Sequence, residues 1–384
     1  MLFAGFIRIS ILTLILFSFR MVAATPVAGE DTGISSPDSG HAAEPEPYQN
    51  RWFAFPFAGY TPETSLMVGG VALRQFKPAR ADDETRASQI LMSAIYTLNK
   101  QFLLGFYPNI ILPEERWIFD GSHFYSFFPD RYWGIGPATR SAEELDVEFR
   151  VFQFEQVFLK KISADLHAGP ILRWSRLSHL KLSDIDGNPV PEEQMDLEEN
   201  STLSGIGLSV RMDARNSITW PTRHHYVDIS AIYYSEFLGA THPYASWKLD
   251  ARAYFDLLGD GSSVLAFHLR TRLTEGQLPF QEFSMLGGQE IMRGYHEGRF
   301  RDANAMQIQA ELRGRLYRRL GFAVFAASGE VWNRFEDFSL DNPKYAAGAG
   351  LRFDMNPKDT SNLRIDYGIG RHGSGLYLTI GEAF

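Results

Sequence analysis

The chain has 384 residues, of which 45% are hydrophobic, 22% charged and 14% aromatic, and its formal net charge is −9. It contains no cysteine, which excludes disulfide scaffolds, thiol nucleophiles and thiolate metal sites. The net acidity disfavours nucleic acid as a partner, because neutralising phosphates requires a basic face. Glycine and aromatic residues are abundant, a bias typical of turns, strands and membrane interfaces.

The first 24 residues have the composition of a secretory signal peptide. Arg8 and Arg20 flank an apolar stretch, residues 9–19, that is too short to cross a bilayer as a helix. Small side chains at the end of this segment predict cleavage after Ala24. The next 26 residues are rich in Pro, Gly, Ser and acidic residues, which favours a disordered periplasmic tether. The predicted boundaries are 1–24 for the signal peptide, 25–50 for the tether and 51–384 for the folded domain.

After the tether, apolar and polar residues alternate, which is typical of strands with two unlike faces. In residues 247–257, Trp247 and Leu249 lie on the apolar face, while Lys248 and Asp250 lie on the polar face. Because side chains alternate across a strand, such a segment separates an apolar environment from a polar one. Further runs of this kind lie at residues 206–215 and 306–317.

These runs are about ten residues long, whereas strands of soluble proteins usually have about 5–6 residues. A tilted strand of about 9–11 residues crosses a bilayer, with apolar side chains toward lipid and polar ones toward a lumen. The sheet must then close, because an open edge in hydrocarbon leaves backbone groups unpaired. The sequence therefore predicts an all-β transmembrane antiparallel β-barrel of about 16 strands.

The connections between the predicted strands alternate in length. Short connections are expected to be periplasmic turns, and long ones to be external loops. The predicted turns lie at residues 114–116, 260–262 and 356–360, and the predicted loops at residues 129–143, 181–200, 289–304 and 336–343.

The connection between predicted strands eleven and twelve is unusually rich in glycine and arginine. It contains the motif Met292, Arg293, Gly294 and Tyr295, and the following strand carries Glu311. Taken alone, these residues indicate only a tight turn. A glycine-hinged loop could also fold into the lumen, where Arg293 would need a carboxylate, since a charge withdrawn from water costs several kcal/mol unless it is matched.

Three segments together carry a family resemblance. Residues 292–295 form an apolar-Arg-Gly-aromatic motif, residues 311–313 read Glu-Leu-Arg, and residues 381–384 end in an aromatic residue. The chain in this respect resembles the bacterial surface antigen superfamily, the BamA/TamA type of outer-membrane barrel, which inserts or translocates other proteins. In that family the three segments are similar to the lid loop, to a barrel strand and to the closing strand.

The resemblance implies an inward-folding lid and a role in insertion, assembly or translocation of outer-membrane proteins. It implies outer-membrane lipids and unfolded outer-membrane or secreted client proteins as partners. From its residues the chain is predicted to have no cofactor and no metal site. Members commonly carry periplasmic POTRA domains before the barrel, and residues 25–50 are too short for one, so a member without them is expected. Whether periplasmic accessory subunits replace the POTRA domains is left open by the sequence.

One residue departs from the family pattern. The thirteenth strand of the family usually presents Phe-x-Asp-x-Gly, and its Asp pairs with the lid arginine. This chain has Ala327 at the expected Asp position. Glu311 is therefore the predicted partner of Arg293, because it lies on the predicted lumen face of the adjoining strand. Glu330 is the second choice, but by alternation it would face the other way.

The last predicted strand allows two readings. Its row of Leu376, Leu378, Ile380 and Phe384 is predicted to face lipid, and it also resembles the C-terminal signal that the barrel assembly machinery recognises. The first predicted strand contains Pro56, which cannot donate a ladder hydrogen bond. This predicts either a weak seam between the first and last strands, able to open laterally, or an ordinary edge.

Two other classes of function remain as alternatives. A passive or plugged pore would keep the lid as a structural element only. A hydrolase would need a nucleophile, a base and an orienting group in reach of one another. Ser178 and His179, like His224 and His225, are adjacent, so on a strand they point to opposite faces. No catalytic residues and no enzyme activity are therefore predicted, and the Asp184–Asn188 segment is interpreted as a solvated turn.

Overall fold

The computed structural model describes residues 50–384 except 82–84, 192–196, 219, 342 and 357–360. The predicted signal peptide and almost all of the predicted tether lie outside the described residues. Sixteen antiparallel strands pair in chain order, and the last pairs with the first, which confirms the predicted closed all-β barrel and its strand number. The wall strands are β1 (Arg51–Thr61), β2 (Ser65–Phe76), β3 (Ser88–Thr97), β4 (Phe102–Ile111), β5 (Trp117–Phe127), β6 (Leu145–Lys161), β7 (Leu166–Ser183), β8 (Ser201–Asp213), β9 (His224–Tyr234), β10 (Tyr244–Asp256), β11 (Ser263–Gly276), β12 (Asn304–Tyr317), β13 (Leu320–Trp332), β14 (Lys344–Asn356), β15 (Ser361–Gly370) and β16 (Gly373–Ile380).

The connections lie alternately at the two ends of the barrel, because antiparallel strands reverse direction at each one. One end, called the short-turn end below, carries connections such as residues 112–116 and 257–262. The opposite end, called the loop end, carries residues 128–144, 184–200 and 277–303. No helix among the described residues is long and apolar enough to span a membrane.

The lumen has two chemically different sides. On β8 to β12 and on β14 and β15 the inward positions are mostly polar or charged, as the alternation predicted. On β1 to β4, by contrast, most inward positions are apolar, so the expectation that polar side chains face the lumen is wrong for those positions. These side chains pack against one another and exclude water, which stabilises that side as a core. They include Phe57, Met67, Val71, Leu73, Leu91, Ile95 and Leu103.

The seam between β1 and β16 is paired far less than the other strand contacts. Only Tyr60 and Leu378 face one another across it, whereas β1 faces β2 over its whole length. Pro56 on β1 lacks an N–H donor for a ladder hydrogen bond. The part of β1 nearest the short-turn end therefore has no ladder partner on the seam side among the described residues.

The four residues after β16 turn into the lumen. Gly381 has a φ of +90°, a left-handed conformation that suits glycine, and Phe384 is only 3% exposed. The Phe384 ring lies 4.9 Å from the ring of His268 on the inner face of β11. Leu376 is exposed, and Leu378 and Ile380 are half-buried. The prediction that Phe384 extends this lipid-facing row is wrong, because the strand ends at Ile380 and the tail leaves the wall.

Candidate functional site: the lid and its ion-pair ring

The connection between β11 and β12, residues 277–303, folds into the lumen and is called the lid. Two short strands within it, Ser284–Leu286 and Phe300–Asp302, pair with each other and form its stalk. The tip lies against the inner face of β15. A Cβ atom on Gly294 would stand 2.7 Å from the backbone nitrogen of Ile369, and Gly294 has a φ of +114°. Only glycine fits this contact without strain.

The root of the lid is held by a buried carboxylate. Glu282 is 0% exposed and accepts hydrogen bonds from Arg173 Nη2 at 2.5 Å, Arg272 Nη2 at 2.5 Å and Tyr244 Oη at 3.0 Å. These donors lie on β7, β11 and β10, so the root is fixed to one side of the wall. The alternation in the sequence does not reveal this site, although both arginines stand at inward positions of their strands.

The tip is held by a second buried charge. Arg293 is 0% exposed and donates to the carboxylates of Glu311 on β12 and Asp366 on β15. Its guanidinium carbon lies 3.5 Å from the centre of the Phe325 ring, a cation–π contact on β13. Two carboxylates and an aromatic face thus compensate the desolvation of the guanidinium group.

The two sequence-derived partner candidates have different positions. Glu311 contacts the lid arginine, as described, and Asp366 is a second partner that the sequence analysis did not name. Glu330 instead accepts a hydrogen bond from Lys344 Nζ at 2.6 Å. Ala327 stands among the buried apolar side chains beneath the lid. Asp366 therefore supplies, from β15, the carboxylate that the family pattern places on β13.

Further ion pairs connect these groups into a closed ring. Arg313 Nε lies 2.7 Å from Glu311 Oε1 and 3.5 Å from Glu382 Oε2. Arg352 Nε lies 2.9 Å from Glu382 Oε2, and Arg352 Nη1 lies 2.5 Å from Asp366 Oδ1. With Arg293 between Glu311 and Asp366, cations and anions alternate around six residues. We call Arg293, Glu311, Arg313, Glu382, Arg352 and Asp366 the ion-pair ring.

The ion-pair ring joins parts of the chain that are far apart in sequence. It connects the lid tip to β12, β14 and β15 and to the inward-turned tail. All six side chains are buried. Since a buried charge that loses its partner is strongly destabilising, the ring fixes the position of the lid and of the tail together.

The other residues of the lid motif also contact the wall. The backbone N–H of Gly294 donates to Tyr377 Oη on β16 at 3.0 Å. Tyr295 is 1% exposed, and its hydroxyl accepts from the backbone N–H of Arg371 at 3.1 Å. Met292 has a φ of +57°, rare for a non-glycine residue, and is buried in the apolar cluster beneath the lid. Each motif residue thus helps to hold the tip against β15 and β16.

The lid also reaches the turn between β1 and β2. The backbone N–H of Glu297 donates to Glu63 Oε1 at 2.9 Å, and both side chains are buried. Burial, then the nearby carboxylates of Glu63 and Glu290, raise the pKa of Glu297 to about 8 against a small opposing effect of Arg270. Through Tyr377 on β16 and Glu63 beside β1, the closed lid contacts both flanks of the seam.

A histidine of the lid contacts the connection between β5 and β6 at the loop end. His296 Nε2 lies 2.8 Å from Asp130 Oδ1, and its ring lies 5.2 Å from the ring of Trp133. Burial alone would lower the pKa of His296. The carboxylates of Asp130 and Glu63 outweigh burial and the charge of Arg131, so this pKa is raised.

His167 on β7 and the segment Asp184–Asn188 make contacts within the structure. His167 Nε2 lies 3.3 Å from the backbone oxygen of Glu115, and Asp184 Oδ1 accepts the backbone N–H groups of Asp186 and Asn188 at 3.0 and 2.8 Å. The Asp184 contacts form an exposed turn. In the described part of the chain, no group of three or more His, Asp or Glu side chains is arranged to hold a metal ion.

A sixteen-stranded barrel closed by an inward loop with a buried arginine at its tip belongs to the class of lid-bearing outer-membrane barrels. The Omp85 superfamily domain matches residues 96–384, and the chain belongs to the Omp85 superfamily. Members of this superfamily are outer-membrane transporters and insertases. No curated protein matches the chain significantly.

Solved structures of the same fold share little sequence with this chain. BamA from Haemophilus ducreyi lacking POTRA domains 1–3 is 12% identical, with a TM-score of 0.61, over 87% of this chain and 70% of that one. CdiB from Acinetobacter baumannii is 14% identical, with a TM-score of 0.52, over 86% and 59%. CdiB from Escherichia coli is 12% identical, with a TM-score of 0.57, over 87% and 64%. The chain thus spans less than two thirds of either CdiB protein.

Proposed function

We propose that this protein inserts, assembles or translocates other proteins at the bacterial outer membrane, through a barrel whose lumen and seam are gated by the lid. The observation that carries the proposal is the ion-pair ring, which holds Arg293 between Glu311 and Asp366. Membership of the Omp85 superfamily supports the same class of activity. The proposal places outer-membrane lipids, unfolded client proteins and periplasmic accessory subunits among the partners.

The lid contacts suggest how the gate works. The closed lid binds Tyr377 on one flank of the seam and Glu63 on the other. Release of the lid removes both contacts and leaves Tyr60 and Leu378 as the facing pair of the seam. The free edge of β1 then offers backbone donors and acceptors to a client strand, which can add to the sheet by β-augmentation.

The proposal also includes the two ends of the chain. Residues 1–24 are proposed to direct export, and residues 25–50 to connect to the barrel as a tether, by composition alone. The row of Leu376, Leu378, Ile380 and Phe384 is proposed to serve as the signal for the protein's own assembly, read before the tail turns into the lumen.

The test is the folding rate of a urea-denatured small barrel protein added to liposomes that contain this protein. We expect faster folding than with empty liposomes, and we expect this acceleration to depend on Arg293. Because Arg293→Ala releases the lid and exposes the edge of β1, it should raise the folding rate further. Arg315→Ala is the matched control, because Arg315 is an exposed arginine on β12 outside the ion-pair ring. Folding as slow as with empty liposomes would overturn the proposal.

A plugged pore is the second candidate, and one cavity favours it. The lumen beside the lid contains a cavity of about 300 Å³ in which opposite charges are paired. Arg211 pairs with Asp120 and Asp228, and Arg252 pairs with Asp250. A polar cavity with balanced charges of this kind suits water and small solutes. Steady conductance in a planar bilayer, without acceleration of client folding, would favour the pore.

A further inference from the structure

The outer face of β1 to β6 carries a groove, whose floor of small residues lies on β1 to β3 near the seam. Its volume is about 920 Å³, and it opens toward the surface that faces lipid. The floor consists of small residues, and Leu104 and Phe106 on β4 form its side. A Cβ atom on Gly70 would meet no atom within 4 Å, so the floor is open there. The floor residues are Ala54, Pro56, Gly70, Ala72 and Ala94.

A cation stands at the end of the groove nearest the short-turn end. Arg74 faces outward from β2 and lies opposite Trp52 in the ladder. It follows Ala72 by two residues, so both side chains are on the same face of the strand. Its guanidinium carbon lies 5.6 Å from the centre of the Trp52 ring and 5.0 Å from that of Phe76. Aromatic rings at this position mark the level of lipid headgroups.

The guanidinium group of Arg74 has hydrogen-bond donors that the protein does not use. Its Nε is buried and makes no hydrogen bond, and no carboxylate forms an ion pair with it among the described residues. By contrast, Arg211 and Arg252 on the inner wall each pair with an aspartate. A guanidinium group with free donors at an interface suits a phosphate, which accepts two parallel hydrogen bonds from it.

We propose that this groove is a binding site for one phospholipid, whose phosphate lies on Arg74 and whose acyl chain lies on the floor beside Ala54, Gly70 and Ala94. A protein strand fits the floor less well, because the backbone groups of β1, β2 and β3 already pair with one another. A free phosphate would leave the apolar groove unfilled. The inference requires the barrel to lie in a membrane, but it does not require the insertion activity proposed above.

The site has a consequence for the seam. Pro56 on the floor belongs to the stretch of β1 that lacks a ladder partner on the seam side. A lipid held there shields this stretch of the wall from the bilayer. It would have to move before another chain could approach β1 from the lipid side.

The test is a lipid titration of the purified full-length protein in detergent micelles, read by native mass spectrometry. The probes are dioleoylphosphatidylglycerol, dioleoylglycerol, which has the same chains without the phosphate, and inorganic phosphate. We expect Arg74→Gln to weaken phosphatidylglycerol binding about tenfold or more, as for the loss of a hydrogen bond to a charged group. Dioleoylglycerol binding should be unchanged by Arg74→Gln, and inorganic phosphate should not compete.

Two further variants distinguish lipid binding in this groove from nonspecific lipid binding elsewhere on the barrel. Ala72→Phe fills the floor from the lipid side and should weaken both lipids. Lys160→Gln is the matched control, because Lys160 also lies over an interfacial ring, that of Trp117, at 6.0 Å, but outside the groove. Equal phosphatidylglycerol binding by Arg74→Gln and Lys160→Gln would overturn the proposal. So would full competition by inorganic phosphate, or cross-linking of a second copy of the chain at the groove. Heat-modified gel migration checks that each variant is folded, and the assay contains no client protein, so its outcome is independent of the folding-rate test.

Discussion

Asp366 and Arg293, separated by 73 positions in the sequence, form a buried ion pair between β15 and the tip of the lid. The same aspartate also pairs with Arg352, so it forms two of the ion pairs in the ion-pair ring. In this chain the carboxylate for the lid arginine has thus moved from the expected position, occupied by Ala327, to a different strand. The lid is held without the acidic residue that the family pattern places on β13.

We expect Asp366→Asn to release the lid. Removing one partner of a buried pair leaves an uncompensated charge and costs about 3–5 kcal/mol. The free energy of unfolding in urea measures the loss of stability. A second readout is the difference in gel migration between heated and unheated samples, which distinguishes the unfolded from the folded barrel. Asp341→Asn is the control, because Asp341 is exposed in the loop between β13 and β14. Equal stability of the two variants would show that Asp366 does not secure the lid.

Arg293→Ala is expected to lower heat resistance and to raise ionic conductance, because Glu311 and Asp366 then lose their shared cation. Arg293→Lys should restore little of either property. An ammonium group lacks the planar fork that reaches two carboxylates at once, and it cannot stack on Phe325 in the same way. Unchanged heat resistance together with unchanged conductance in Arg293→Ala would contradict a lid held inside the lumen.

Much of the fold was predictable because it depends on local alternation. The pattern around Trp247 and Leu249 required a two-faced strand, and repetition of such strands required closure in a bilayer. The orientation of Glu311 toward the lumen followed from the same alternation of apolar and polar residues along its strand. Asp366 was not predictable in this way, because its distance from the lid depends on how the wall curves over three further strands.

The inward tail and the apolar side of the lumen were missed for related reasons. Alternation continues formally to Phe384, but the backbone conformation of Gly381 ends the strand four residues earlier. In β2, both faces are apolar, with Met67 and Leu73 inside and Val68 outside. The alternation of apolar and polar residues assigns the two faces of a strand only when they differ. When both faces are apolar, it cannot indicate which one points toward lipid.

The contact of Gly294 with β15 can be tested with a second glycine as control. Gly294→Ala adds a Cβ atom 2.7 Å from the backbone nitrogen of Ile369, at a φ of +114°. Gly239 also has a positive φ, +94°, but a Cβ there would meet no atom within 4 Å. In both variants, an alanine at a positive φ costs about 1–2 kcal/mol in backbone strain. We expect Gly294→Ala to lower stability by more than Gly239→Ala, and equal losses would show that the lid tip does not press on β15.

The ion-pair ring predicts coupling between the lid and the tail. Glu382→Gln weakens the contacts of the tail with Arg352 and Arg313, and Arg293→Ala removes the lid from the same ring. Because the two changes share neighbours, their effects on the free energy of unfolding should be non-additive by at least about 0.5 kcal/mol. A double-mutant cycle measures this difference. Strict additivity would mean that the lid and the tail are held independently.

The contacts at the loop end should weaken as pH rises. The pKa of His296 is raised, so its stabilising contribution is complete below about 6.5, the usual value for histidine, and is lost as pH rises through the raised value. The pKa of Glu297 is raised to about 8, so the closed lid loses stability between about 4.3, the usual value for glutamate, and that pH. Both groups therefore act in the same direction, and we expect a lower unfolding temperature at pH 9 than at pH 6. The double variant His296→Gln, Glu297→Gln should flatten this dependence, and an unaltered pH profile in that variant would assign the effect to other groups.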